Sequence, residues 1–286
     1  MREKLNCPLC GYKSNYIFES KLKKNIFKCS YKNCSHLFTP YYEFNQGVCQ
    51  RIEDLEKESE EFLIKFKNRN KRLANFLFRN ILFSKKNISI LDYGSGNAHL
   101  TRVFRKMISK ESLLFALDAK EEYNIFYKKF GLIPINDINE IKPNSLDLII
   151  MIEVIEHIEY PKQTLKSLKS KLKSNGKIFI TTPAASEKES ETSAFDVISH
   201  IHFFTEKSFG NLIRNCGFRN FVYVNQNIMQ PKFFENQFHK NKIFGIYRII
   251  KAALKIIAYY SLKKILKIAK TKKNKNIIKH IVGYAQ

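Results

Sequence analysis

The sequence predicts an α/β fold on a largely parallel sheet, and three features carry that expectation. From Asn87 onward, short and nearly continuous apolar runs alternate with stretches of helical periodicity, the pattern of strands buried on both faces. The first clear strand, ISILDY (88–93), runs into a glycine-rich turn and then a helix pattern. Two carboxylates, Asp92 and Asp118, end the first two strands, where open α/β sheets bind ligands.

Each element follows in order. Residues 1–50 contain cysteines, are rich in tyrosine and are turn-prone, and they read as a small N-terminal lobe. Residues 51–84 link the lobe to the core. Leu55, Phe62, Phe66, Leu73, Phe76, Leu77 and Phe83 recur at spacings of mostly three, four or seven, predicting one amphipathic helix or two in series. The core is expected over 85–226. After ISILDY come a helix over about 97–110, the strand SLLFALD (112–118) and a weak short strand in LIPIN. The strand SLDLIIMI (145–152) is followed by a helix through Leu172. GKIFITT (176–182) follows the turn Ser174-Asn175-Gly176, then come a helix over 206–216 and FVYV (221–224). Residues 227–276 break this alternation as a basic, helical insertion, and 277–286 close the chain with a last strand, IIKHIVGYA.

The chain has 286 residues, enough to bury a real core, and a formal charge of +24. Residues 1–40 carry +6, residues 41–220 only +5, and residues 221–286 carry +13. An excess of this kind suits nucleic acid, an anionic membrane surface or an acidic substrate. No uncharged apolar run approaches the roughly 20 residues of a membrane span. The start, MREKLNCPLC, has no apolar stretch of a signal peptide, so a cytoplasmic location with reduced thiols is expected.

The turn LDYGSGNAH carries the first chemistry. Gly94 and Gly96 let the backbone approach a ligand with no Cβ in the way, and the following helix points free N–H groups at the same place. Asp118, 26 residues after Asp92, can accept both hydroxyls of a ribose. No Lys-Ser/Thr pair makes this a phosphate loop, and Ala98 stands where a dinucleotide fingerprint prefers glycine. An aspartate at position 92 suits a cofactor that brings positive charge, such as the ammonium and sulfonium of S-adenosylmethionine (SAM).

LDYGSGNAH, FALD, the acidic IND at 135–137, SLDLIIMIEVIEHIEYP and LKSNGKIFITTP occur in the order of the class I SAM-dependent methyltransferases. The chain resembles that family over about residues 85–225. It looks most like the branch of the ubiquinone-biosynthesis O-methyltransferases, whose H-x-x-x-F-T/S segment HIHFFTEKSF (200–209) resembles. The resemblance implies a Rossmann-like seven-stranded sheet with a helical insertion before the last strand; the N-terminal zinc-ribbon lobe is read from the cysteines instead. It also implies that Asp92, Gly94, Ser95 and Gly96 line the methionine part of SAM and that Asp118 holds the ribose. Asp137 and Ile138 would lie beside the adenine, and Met151 and Glu153 beneath the cofactor.

The acceptor chemistry is expected at Glu153-Val-Ile-Glu156-His157, which on a helix would share one face. In one reading His157 is a general base, with Glu156 and His202 beside it. In the other, Glu153, Glu156 and His157 hold a divalent metal together with His202 or His200, a pattern similar to that of ubiquinone-pathway and small-RNA 2′-O-methyltransferases.

Cys7-Pro-Leu-Cys10-Gly and Cys29-Ser-Tyr-Lys-Asn-Cys34 are spaced as a zinc ribbon holding a structural Zn, although the second knuckle has two extra residues and His36 is an alternative to Cys34. Cys49 and Cys216 read as small core residues. Such ribbon-plus-methyltransferase chains resemble enzymes acting on glycan or lipid-linked precursors, and also rRNA methyltransferases. The expected function is therefore O-methylation of a small-molecule or glycan-like acceptor, with rRNA or tRNA as the alternative. The stretch 245–269 interleaves lysines with apolar residues, as a lid over the acceptor or a helix on anionic lipid would.

Overall fold

The computed structural model describes residues 5–40, 52–82, 87–186, 193–224, 228–229 and 280–286. The expected insertion 227–276 lies outside them except for Ile228 and Met229, and Cys49 lies outside as well. The first elements are β1 (Ser14–Glu19), β2 (Asn25–Cys29), β3 (Leu37–Phe38) and α1 (Ile52–Asn80). The core then runs β4 (Ser89–Tyr93), α2 (His99–Arg105), β5 (Leu113–Leu117), α3 (Asn124–Lys129), β6 (Ile133–Pro134) and β7 (Leu146–Ile152). It ends with α4 (Pro161–Lys171), β8 (Leu172–Pro183), β9 (His202–Phe203), α5 (Glu206–Asn215), β10 (Val222–Tyr223) and β11 (His280–Ala285).

Seven strands form one sheet in the order β10-β11-β8-β7-β4-β5-β6. β4, β5, β6, β7 and β8 pair in parallel, and β11 runs antiparallel to both β8 and β10. This is the expected Rossmann-like sheet, with its last strand returning from the end of the chain. Side chains alternate between two buried faces. Along β7, Ile149 and Met151 enter a cluster with α4 and α5, while Leu148 and Ile150 enter a cluster with α1 and α2. Helices on both faces explain why these strands read as continuous apolar runs.

One alternative is settled and two expectations change. The linking segment is a single 29-residue helix. The Ser174-Asn175-Gly176 turn is absorbed into β8 as an irregularity: Leu146 pairs with Leu172, but Leu148 pairs with Lys177. A Cβ on Gly176 would lie 2.7 Å from the Leu146 carbonyl oxygen, so only glycine fits where the strand steps. And the residues after β7 do not enter an α-helix. Glu153 takes φ 56°, a short 3-10 turn covers Ile155–His157, and α4 begins only at Pro161. Glu153, Glu156 and His157 therefore do not share one helical face.

β1, β2 and β3 form an antiparallel sheet to which β9, from far along the chain, adds a fourth strand. The lobe also shares apolar contacts with the core, because Leu9, Phe27 and Phe38 pack in the same cluster as Phe204, Phe209 and Leu212. Among the described residues no helix is long and apolar enough to cross a membrane.

Candidate active site

The turn after β4 is built by positive-φ residues. Gly94 (φ 70°) and Gly96 (φ 48°) reverse the chain, and Ala98 (φ 51°) starts α2. The N–H groups of Gly94 and Ser95 both donate to the Leu117 carbonyl, at 2.8 and 3.0 Å, which ties the turn to the end of β5. Buried Tyr127 donates its hydroxyl to the Gly96 carbonyl at 2.7 Å and accepts the Ser95 hydroxyl at 2.7 Å. Asp118 accepts the Gly96 N–H at 2.7 Å and the Lys120 N–H at 3.1 Å. Each of its oxygens keeps a second lone pair for a ligand.

Around this turn lies a cleft of about 350 Å³, lined from the core by Asp92, Gly94–Asn97, His99, Leu100, Tyr123, Ile152 and Glu153 and from α1 by Arg69, Asn70 and Leu73. Asp92 is 4% exposed and accepts a hydrogen bond from the Thr101 hydroxyl. Burial, with a smaller push from Asp118, raises its carboxyl to about 7 despite that bond. A desolvated carboxylate facing a cleft fits a cationic ligand. A Cβ on Gly96 would meet nothing within 4 Å, so the backbone there stands open. Asn97 Oδ1 and Asn70 Nδ2 are buried with no hydrogen-bond partner among the described residues. The fit to a cofactor bearing an ammonium, a sulfonium and a carboxylate is direct: Asp92 suits the cation and Arg69 the anion.

The sequence missed the α1 wall, because amphipathic spacing shows that a helix buries one face but not which sheet edge it lands on. Other expected positions move. Met151 is fully buried on the opposite face of the sheet, and Ile152 lines the cleft instead. The left-handed backbone at Glu153 breaks the alternation, so Ile152 and Glu153 both reach the cleft. Asp137 is exposed and caps the short turn after β6 through the Asn139 N–H, and neither it nor half-buried Ile138 lines this cleft.

Thr181 and Thr182, adjacent on β8, each hold one glutamate. Thr181 donates to Glu153 at 2.7 Å and Thr182 to Glu156 at 2.8 Å. Burial works to raise Glu153, but His280 at 3.2 Å, Thr181 and Arg69 outweigh it and hold its carboxyl below the usual range. Glu156 is 1% exposed, and burial beside Glu153 pushes its carboxyl well up. Its Oε1 has no hydrogen-bond partner among the described residues, and it faces His157 Nε2 and His200 Nε2, each at 3.9 Å.

The tautomers follow from the backbone. His157 Nδ1 donates to the Ser199 carbonyl at 2.9 Å and His200 Nδ1 to the Ala194 carbonyl at 3.2 Å. Both Nε2 atoms are then bare lone pairs aimed at Glu156. Burial lowers both imidazoles, His200 to about 4, so both are neutral near pH 7. The three ligand atoms lie within 4.8 Å of one another. His202 is not part of this group, which corrects the expected set Glu156, His157 and His202. Its Nδ1 meets His36 Nε2 at 3.0 Å and its Nε2 donates to the Ile158 carbonyl at 2.9 Å, so both ring nitrogens are taken. Glu153 is likewise committed to Thr181 and His280 rather than to His157 or His200.

In the lobe, Cys7, Cys10, Cys29 and Cys34 bring four sulfurs within 4.8 Å of one another. Cys7 and Cys34 are 3.8 Å apart and Cys10 and Cys29 3.4 Å apart. With Zn–S bonds of about 2.3 Å, the edges of a tetrahedral site are about 3.8 Å, so the donor set fits a zinc ion. Cys34 therefore completes the cluster, and His36 lies with His202 instead. Cys216 is buried, as expected.

The fold has known relatives. The chain resembles the Haemonchus contortus phosphoethanolamine N-methyltransferase 2 solved in complex with SAM, at 16% identity and a TM-score of 0.50 over 85% of this chain and 61% of that one. It also resembles a SAM-dependent methyltransferase from Aquifex aeolicus, at 20% identity and a TM-score of 0.45 over 62% of this chain and 94% of that one. The match thus spans about three fifths of the Haemonchus chain. No curated protein matches by sequence. Residues 66–221 match the family described as methyltransferase domain, the stretch that holds both the glycine turn and the Glu156 corner. The chain belongs to that family of methyltransferase domains.

Proposed function

We propose that the protein transfers the SAM methyl group to an oxygen of a small-molecule or glycan-like acceptor. The convergence of Glu156 Oε1, His157 Nε2 and His200 Nε2 beside the Asp92 cleft carries this reading. SAM supplies an activated methyl on its sulfonium. The chain must hold the cofactor, align the oxygen and take its proton. Asp92 faces the cationic end of the methionine part, Arg69 its carboxylate, and Asp118 the ribose. Asp137 and Ile138, which do not line that cleft, are read as flanking the adenine beyond it. His157, neutral and one third exposed at its side chain, takes the acceptor proton at Nε2.

A second reading uses the same atoms. Glu156 Oε1 stands 3.9 Å from both His157 Nε2 and His200 Nε2, too long for hydrogen bonds. A divalent cation there would lower the acceptor's pKa and hold vicinal oxygens. Glu156, His157 and His200 would be its ligands, and zinc in the four-cysteine lobe would be structural.

The test is a labelling screen with methyl-tritiated SAM over small-molecule, glycan, lipid and RNA fractions, run with and without added Mg or Mn. Label in a small-molecule or glycan fraction, released as an O-methyl product, is expected. Label in rRNA or tRNA, with binding that falls steeply as salt rises, would overturn the acceptor assignment in favour of RNA.

A further inference from the structure

We propose that the N-terminal cysteine lobe is the brace of the acceptor corner, with Lys24 as the positioning residue for His200. The inference rests on the reading of Glu156, His157 and His200 as that corner.

The segment 194–203 carries His200, and the lobe holds it at four points. Lys24, between β1 and β2, is 5% exposed, and its Nζ donates to the carbonyls of Val197 at 2.6 Å and His200 at 2.9 Å. A buried ammonium is costly unless it is hydrogen-bonded. Here both carbonyls that satisfy it belong to that segment. Ile201 forms the second link, because its carbonyl accepts the Thr39 N–H at 3.0 Å while its own N–H donates to the Glu156 carbonyl at 3.0 Å. The lobe and the Glu156 backbone are thus one residue apart through hydrogen bonds.

The third link is ionisable but neutral. His202 Nε2 must donate to the Ile158 carbonyl, so His202 Nδ1 accepts, and fully buried His36 of the lobe donates from Nε2 at 3.0 Å. The chain from His36 ends on the residue after His157. The fourth link is apolar. Phe18 packs edge-on against Phe195 at 5.3 Å, inside a cluster that joins Ile26 and Leu37 of the lobe to Ala194, Phe195 and Phe203. β3 and β9 pair across the same seam, Leu37 with Phe203 and Phe38 with His202. None of these contacts touches the Asp92 cleft, so the brace acts on the acceptor side alone.

The experiment compares the full chain with Lys24→Met, which keeps the stem volume and removes the donors, and with Lys23→Met at the exposed neighbour as control. Amide hydrogen exchange over 197–203 is read alongside SAM affinity by calorimetry. In Lys24→Met, exchange is expected to rise at least tenfold in that segment, with SAM affinity within twofold of the parent. Lys24→Arg, which keeps donors, is expected to recover most of the protection. Unchanged exchange in Lys24→Met, or an equal rise in Lys23→Met, would overturn the proposal. Should Lys24→Met fail to fold, Phe18→Ala removes the apolar link from the same segment and is expected to raise exchange there without weakening SAM. Mn binding followed by electron paramagnetic resonance separates the two layers. Weakening of at least tenfold in Lys24→Met supports both. A parent that takes up no Mn refutes the cation reading and leaves the exchange result to decide the brace.

Discussion

The cofactor turn and the acceptor corner lie side by side at the end of one sheet, yet they are built in different ways. Nearly every group of the turn comes from residues 92–101 and the end of the next strand, and three consecutive bends are set by Gly94, Gly96 and Ala98. The corner draws Glu156 and His157 from a short turn after β7 and His200 from 43 residues on, held by Ser199 and Ala194 carbonyls and by the lobe. A site of the first kind fails through its backbone. A site of the second kind fails through its supports, and the expected effects of substitution differ accordingly.

The largest effect is expected at Gly94. A Cβ there would lie 2.5 Å from Val154 Cγ2, on a residue with φ 70°. Overpacking costs about 1–3 kcal/mol and the left-handed backbone roughly 1 more. Gly94→Ala should lose SAM binding about a hundredfold or more by calorimetry. Gly96→Ala, where no atom lies within 4 Å, should cost only about 1 kcal/mol of folding stability in urea denaturation. Equal losses of stability would break the argument that Val154 seals the turn.

Next come His157→Ala and His200→Ala. Each should lower turnover at least tenfold, on the scale of one lost acid–base group, while SAM affinity stays unchanged. His202→Ala should act instead through folding, because both His202 ring nitrogens are engaged, by His36 and by the Ile158 carbonyl. A variant at His157 that turns over normally would remove that residue from the chemistry.

The third effect is a pH dependence. Asp92 is pushed up to about 7 mainly by burial. A cationic cofactor favours its ionised form, so binding below pH 7 must release a proton. SAM affinity should therefore rise by up to about tenfold per pH unit on approaching 7 and level off above it. Calorimetry in buffers of different ionisation enthalpy reads that proton directly, and a flat profile would place the cation elsewhere.

The smallest effect is expected for Tyr127→Phe. It removes two hydrogen bonds that hold Ser95 and Gly96, worth about 1 kcal/mol each. SAM affinity should fall only a few-fold, because the Leu117 and Asp118 contacts still hold the turn.

The difference between the two regions also explains what could be read in advance. Asp92, Gly94 and Gly96 were legible because a strand, a tight turn and a helix start leave their marks in consecutive residues. The four cysteines were legible for the same reason, since two short knuckles each present a pair of thiols. Ile152 was not, because nothing in an apolar strand warns that a non-glycine residue at its end, Glu153, adopts a positive φ. His200 and His202 could not be ranked, because H-x-H offers two imidazoles and only the pairing of β9 with β3 turns one toward His36 and leaves the other to Glu156. Arg69 and Asn70 were hidden in a helix whose pattern specifies a buried stripe and no partner.

The sequence by itself determined the α/β alternation, the parallel sheet with its late returning strand, the cofactor turn and the cysteine cluster. Each is a local pattern in which backbone sterics or side-chain period act over a few residues. Tertiary structure alone decided that α1 walls the cofactor cleft, that His200 rather than His202 joins Glu156 and His157, and that the lobe is stitched to the acceptor side. Those choices depend on which buried donor meets which distant carbonyl, and such meetings are settled only when the sheet, the helices and the lobe pack together.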